Sequence, residues 1–156
     1  MKNLYQVVVF VMGTILSAVV CAADMDVEAV SVRATLPSQT TGMVLLTITS
    51  KQAATLIGAS SLVAKSVELH SMTHENGMMK MREVKAIDLP MGKTVNFENS
   101  GYHLMLIGLK TPLKASDNVH LTLKVKVAQH VKKIKISAVV KATEVAQTEH
   151  DAHSQH

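Results

Sequence analysis

Two tripeptides carry the chemistry that this chain offers: His70-Ser71-Met72 and His103-Leu104-Met105. Both read His-x-Met. On a β-strand residues i and i+2 face the same way, so each tripeptide would present an imidazole beside a thioether. Between them lies Met78-Met79-Lys80-Met81, in a chain with ten Met and eight His. One reading is a converging cluster of nitrogen and sulfur donors. The other is a set of surface or hydrogen-bonded histidines next to methionines that fill irregular gaps in a core. The second gains weight from the scarcity of aromatic residues, with no Trp, two Tyr and two Phe. Met43 and Met91, taken singly, read as such fillers, and Met78 reads as core on the face of its strand opposite Met79 and Met81. Met79 shares a face with Met81, and Met72 with His70, so either is an alternative to Met81 or a first point of contact for a metal. His74 reads as a solvated turn residue, and His120 and His130 as surface residues.

The elements that must position these residues have a period of two. Val119, Leu121, Leu123, Val125 and Val127 alternate with His120, Thr122, Lys124 and Lys126, the pattern of a strand with one buried face. Segments 27–35, 43–50, 55–60, 66–69, 79–84, 94–97, 104–109 and 133–140 read likewise. Turn signals separate them: Pro37 to Gly42, Glu75-Asn76-Gly77, Leu89-Pro90-Met91-Gly92, Glu98-Asn99-Ser100-Gly101 and Ala115-Ser116-Asp117-Asn118. Many short strands at this spacing predict an all-β protein, an antiparallel Greek-key β-sandwich or barrel. The lysines at 124, 126, 132, 133 and 135 fall on solvent faces, where they also discourage edge pairing.

Residues 4–20 are almost wholly apolar, follow Lys2 and run into Cys21-Ala22-Ala23-Asp24. This predicts a signal peptide over residues 1–23, cleaved after Ala23. Cys21 is preceded by Val20 rather than by a small residue, which argues against lipoprotein processing. Cleavage removes the one Cys of the chain. With it go a disulfide framework, a thiolate nucleophile, and zinc, iron–sulfur or blue-copper centres built on Cys. No second apolar stretch of that length follows, so no membrane span is expected after cleavage. The charge is mildly basic and dispersed, with 16 Lys plus Arg against 12 Asp plus Glu, and an exported chain of that kind is a poor nucleic-acid binder. There is no G-x-S-x-G and no paired carboxylate motif, so an enzyme is not expected. A domain over 24–144 and a tail over 145–156 complete the organisation.

The order His70, ten residues, Met81, twenty-one residues, His103, one residue, Met105 matches the H-x10-M-x21-H-x-M pattern of the periplasmic copper chaperones called PCu(A)C. Val67-Glu68-Leu69-His70, Gly77 to Arg82, His103 to Leu109 and Pro112-Leu113-Lys114 also resemble that family, and the likeness runs from Val27 to about Val140. It implies a cupredoxin-like fold, Cu(I) held by His70, Met81, His103 and Met105, a single-domain monomer, and delivery to a recipient such as the copper centre of cytochrome c oxidase. The family often has a Trp where this chain reads Val30-Ser31-Val32-Arg33 and a Tyr where it reads Val44-Leu45-Leu46. These departures concern packing more than ligation. Two thioethers and two neutral imidazoles form a soft, uncharged set suited to Cu(I), whereas zinc, calcium and magnesium favour thiolate, carboxylate or several oxygens. Met81 and Met105, expected at exposed loop ends, would be the ligands that depart on transfer.

His150, His153 and His156, with Glu149 and Asp151, give the tail the borderline N/O character that accepts Cu(II); a merely solvating tail is the alternative. Two other functions fit the chain: a periplasmic copper buffer or resistance protein with no dedicated recipient, and a metal-free exported β-sandwich used in adhesion or assembly.

Overall fold

Among the described residues, ten strands and one helical turn follow one another in the order β1 (Met25–Arg33), β2 (Thr41–Ser50), β3 (Ala54–Ser61), β4 (Ala64–Glu75), β5 (Met78–Glu83), β6 (Ile87–Leu89), β7 (Thr94–Asn96), α1 (Phe97–Ser100), β8 (Tyr102–Leu109), β9 (Asn118–Val127) and β10 (His130–Lys141). The computed structural model describes residues 24–142; the expected leader, and the tail with His150, His153 and His156, lie outside the described residues. Alternation in the sequence becomes alternation in burial. Along β2, Gly42, Val44, Leu46, Ile48 and Ser50 are buried and the residues between them are half-exposed, and β9 buries Val119, Leu121, Leu123, Val125 and Val127. These side chains meet Leu56, Leu69, Ile87, Leu89, Phe97, Leu104, Leu106 and Val140 in one core. Burying such aliphatic side chains stabilises the fold by roughly 1.5–3 kcal/mol each, which is how a chain poor in aromatics holds together.

Neighbouring strands run in the order β5, β4, β8, β2, β1, β10, β9, β3, β6, and β3 meets β4 again where Ala59 opposes Val67. The seven strands from β4 round to β3 therefore form a closed circuit. Among the described residues all strand-to-strand pairings are antiparallel except β1 with β10, which run parallel from Ser31 opposite Val139 to Arg33 opposite Lys141. That pair is a parallel seam within the otherwise antiparallel sandwich or barrel that the sequence predicts. Strand directions cannot alternate all the way round an odd circuit, so one neighbouring pair has to be parallel.

Strand β4 is much longer than the predicted 66–69. Its first part pairs with β8 as far as Ser71 opposite Tyr102, and its last part pairs with β5 from His70 opposite Glu83 to Glu75 opposite Met78. The loop is Asn76-Gly77, with φ of 53° and 75°. Positive φ at both central residues is what a two-residue type I′ hairpin requires, and Asn-Gly is its preferred sequence. No residue of β5 is buried, so this hairpin adds little to the core. Among the described residues no helix is long and apolar enough to cross a membrane.

Candidate metal centre

Leu69 and Leu104 oppose each other on the core side of β4 and β8. Their strand neighbours must then point outward, and there Glu68 opposes Met105 and His70 opposes His103. The two imidazole rings lie 5.5 Å apart, tilted by 56°. An outward-facing residue would normally be wet, yet His103 is only 2% exposed. Met81 covers it: from β5 its Sδ comes within 3.1 Å of His103 Nε2. Two metal–ligand bonds of about 2.0 and 2.3 Å at the tetrahedral angle would set nitrogen and sulfur about 3.5 Å apart, so this pair already stands close to the separation that a shared ion needs.

His70 is held from its own strand. Its Nε2 is 2.9 Å from Glu68 Oε2, two residues back on the same face, while its Nδ1 is buried with no hydrogen-bond partner. A carboxylate only accepts, so the proton of a neutral ring belongs on Nε2 and the lone pair on Nδ1. An orphaned buried nitrogen is costly unless something takes it up, and a cation is a suitable occupant. His103 is prepared differently. Burial, and then the neighbouring His70, push its pKa below the ordinary imidazole value of 6.5, against a backbone hydrogen bond at Gly101 that pulls it upward. It is therefore neutral at neutral pH, the state in which an imidazole can bind a metal.

Met105 shares the outward face of β8 with His103, half-buried between its register partners Glu68 on β4 and Met43 on β2. Neither methionine lies at a loop end, in contrast to the expectation from sequence; Met81 is within β5 and Met105 in the middle of β8. Met72 opposes Met81, and Met79 opposes His74 two pairs further towards the turn. His74 is thus a strand residue, not a turn residue. Met78 does lie on the face opposite Met79 and Met81 but is 62% exposed, because both faces of the hairpin end are solvated; it is not core. Met91 is likewise 67% exposed, although its backbone forms an isolated bridge with Ser50. His120 and His130 are exposed.

Sequence reasoning passes over two residues here. Met43 reads as a core filler, yet its neighbours Gly42 and Val44 are buried, so the period of two places it outside, against Met105. Glu68 enters only as part of a family-like string, although its i, i+2 relation to His70 marks it as a same-face partner. Among the described residues no three of His, Cys, Asp and Glu come together as a metal site; on the outward face Met81 Sδ meets His103 Nε2, and Glu68 meets His70. The thioether and imidazole donors fit Cu(I) and offer little to zinc or the alkaline-earth ions.

A family model described as "Putative lipoprotein LpqE-like" matches residues 25–140. A putative lipoprotein of Leifsonia xyli subsp. xyli (strain CTCB07) is 38% identical over 77 residues, 49% of this chain and 46% of that protein, so the chain spans about half the length of the relative it matches. The solution structure of CuI-DR1885 from Deinococcus radiodurans superposes with a TM-score of 0.57 at 32% identity, covering 75% of this chain and 76% of that one. The apo PCuAC domain from PmoF1 gives a TM-score of 0.64 at 16% identity, covering 77% of this chain and 95% of the domain. The copper-bound PCuAC domain from PmoF2 gives 0.61 at 21% identity, covering 77% and 94%. The fold is the cupredoxin-like β-sandwich of these domains.

Proposed function

The chain belongs to the LpqE-like family, and on that premise we propose that it is an exported Cu(I) metallochaperone that works as PCu(A)C proteins do. Its cargo site is His70, Met81, His103 and Met105. The observation that carries this reading is the approach of Met81 Sδ to within 3.1 Å of His103 Nε2, from a strand that is not β8's neighbour, at a face where the second imidazole is 5.5 Å away. The copper(I) form of the Deinococcus protein, at 32% identity, supports the same metal.

The ligand set suits a carrier rather than a store. Neutral donors leave the site with the ion's single charge, and thioethers yield to a recipient's thiolates more readily than a closed thiolate cage would. Met81, 50% exposed on the hairpin, is the donor a recipient can displace first, while His70 and His103 stay fixed on paired barrel strands. The protein acts as a monomer in the periplasm, after removal of residues 1–23, and hands copper to a recipient such as the copper centre of cytochrome c oxidase. It carries an ion and catalyses no reaction.

Competition for Cu(I) against a chromophoric chelator tests the site. Affinity tighter than micromolar that collapses in the His103→Ala, Met105→Ala double variant is the expected result. Micromolar or weaker binding that ignores the double variant overturns the reading. Loss of oxidase assembly on deletion at low copper separates delivery from buffering, which would show itself as sensitivity at high copper alone.

A further inference from the structure

A second group of soft donors stands beside the first and has a cavity of its own. Along the outward face of β4, His70 is followed at two-residue steps by Met72 and His74, and His74 is directly opposite Met79. Met72, His74 and Met79 line a cavity of about 480 Å³ together with Met43 and His103. The space exists for a local reason. Asn96 caps the single turn α1 by accepting from Asn99 N at 3.1 Å, and the turn ends in Gly101 at φ 76°. There the backbone leading into β8 has no side chain, and Gly101 O accepts from Met72 N at 2.8 Å. A Cβ at Gly101 would come within 2.6 Å of Met72 O, so the position holds Met72 in place and leaves the cavity open.

The donors differ in kind from what an ordinary surface cleft offers. Three thioethers and one imidazole supply sulfur and nitrogen, and Arg33 and Glu98, which also line the cavity, carry opposite charges. Of the oxygen-bearing side chains in the lining, Glu98, Asn99, Ser100 and Tyr102, one is a carboxylate, so an oxygen-seeking divalent ion finds a single charged ligand, whereas a soft monovalent ion finds sulfur and nitrogen. Met72 and His74 share one face, and Met79 reaches across from the paired strand, so the three can meet on one ion without any strand having to move.

We propose that this cavity is a second position for Cu(I), held by Met72, His74 and Met79 with Met43 also lining it, and weaker than the His70/Met81/His103/Met105 site because three of its donors sit on one hairpin and two of them are exposed. It rests on the copper-carrier reading only for the identity of the ion. His103 forms a wall of both positions, so an ion in the cavity lies next to the tighter site, where it can be taken in or passed out.

Ag(I), a redox-inert stand-in for Cu(I), makes the test direct. Titration of the protein is followed by native mass spectrometry for stoichiometry and by the methionine methyl resonances for location. Two Ag(I) per chain are expected, the second shifting the Met72 and Met79 methyls; Met72→Leu with Met79→Leu should remove the second and leave the affinity for the first within about twofold. The His70→Ala, His103→Ala variant should lose the tighter ion and keep the weaker one. A single ion per chain, or a second that perturbs only His150, His153 and His156, overturns the second position while leaving the carrier reading in place. A first ion that weakens more than tenfold in the Met72/Met79 variant also overturns it, since those residues would then belong to the first site. Absence of any Ag(I) binding would sink the carrier reading itself.

Discussion

Glu68 Oε2 lies 2.9 Å from His70 Nε2 on the same face of the same strand, and the opposite nitrogen of that ring is buried without a partner. The carboxylate thus selects the tautomer that leaves Nδ1 free. Carboxylates in this relation to a ligating imidazole fix its orientation, and their loss typically costs about 10–100-fold in metal affinity. Glu68→Gln should accordingly weaken Cu(I) binding by about tenfold or more in a chelator competition, with unfolding midpoints little changed. Unaltered affinity would mean that the contact does not orient a ligand.

Met81 and Met79 are a matched pair for a second test, being two residues apart on one face of β5 and similarly exposed. Leu keeps the volume of Met and removes the sulfur. Met81→Leu should lower affinity for the first Cu(I) by more than about tenfold, roughly 1.4 kcal/mol, and Met79→Leu should leave it nearly unchanged. Equal effects in both variants would contradict the geometry at His103.

The pH dependence follows from the lowered pKa of His103. Its folded value lies below the ordinary 6.5, so the unfolded chain takes up the proton first, and folding stability contributed by the neutral ring is present above 6.5 and lost as pH falls through the folded value. Chemical denaturation from pH 7.5 to 5 should show stability declining towards acid, with a shallower decline in His103→Asn. Cu(I) affinity should fall over the same acid range, because protons compete for the imidazole lone pairs. Affinity that is flat throughout would show that imidazoles are not ligands.

Much of the fold is legible because burial imposes a period of two, and legibility ends where burial does. The alternation at 119–127 is β9 almost residue for residue. Beyond Leu69, β4 leaves the core, so His70 to Glu75 carry no apolar rhythm and nothing in their pattern marks them as strand. The same hairpin end explains Met78: its face follows from the period, but neither face there is covered. The three residues of β6 are too few to show a period, although Ile87 and Leu89 are buried. For the candidate site, spacing supplies the residue types, whereas the burial of His103 depends on Met81 arriving from a strand two places away, a contact that no local pattern encodes.

Gly101, whose carbonyl accepts from Met72 N at the start of β8, offers a stability test. Its φ of 76° and the 2.6 Å that would separate an added Cβ from Met72 O leave no room for a side chain. Gly101→Ala should destabilise the protein by about 1–3 kcal/mol, seen as a fall of at least several degrees in Tm. A neutral substitution would mean that the start of β8 can shift away from β4.

Cys21 can be tested by mass. The expectation of cleavage after Ala23 predicts an exported form beginning at Asp24 and a Cys21→Ser variant with unchanged release from the cell envelope. A lipid-modified N-terminus at Cys21, in keeping with the description of the family, would replace that expectation with membrane anchoring.

The Asn76-Gly77 turn governs more than the end of a hairpin. On β5 the thioethers of Met79 and Met81 alternate with the cations Lys80 and Arg82, which bond to Glu75 on the other face. A slip of β5 by one residue would exchange the two sets and turn a cation-accepting surface into a cation-repelling one. On the copper-carrier reading, presentation of the thioethers thus depends on a dipeptide that need never touch the cargo, and a single insertion there would turn them to the other face of the hairpin while leaving the barrel intact.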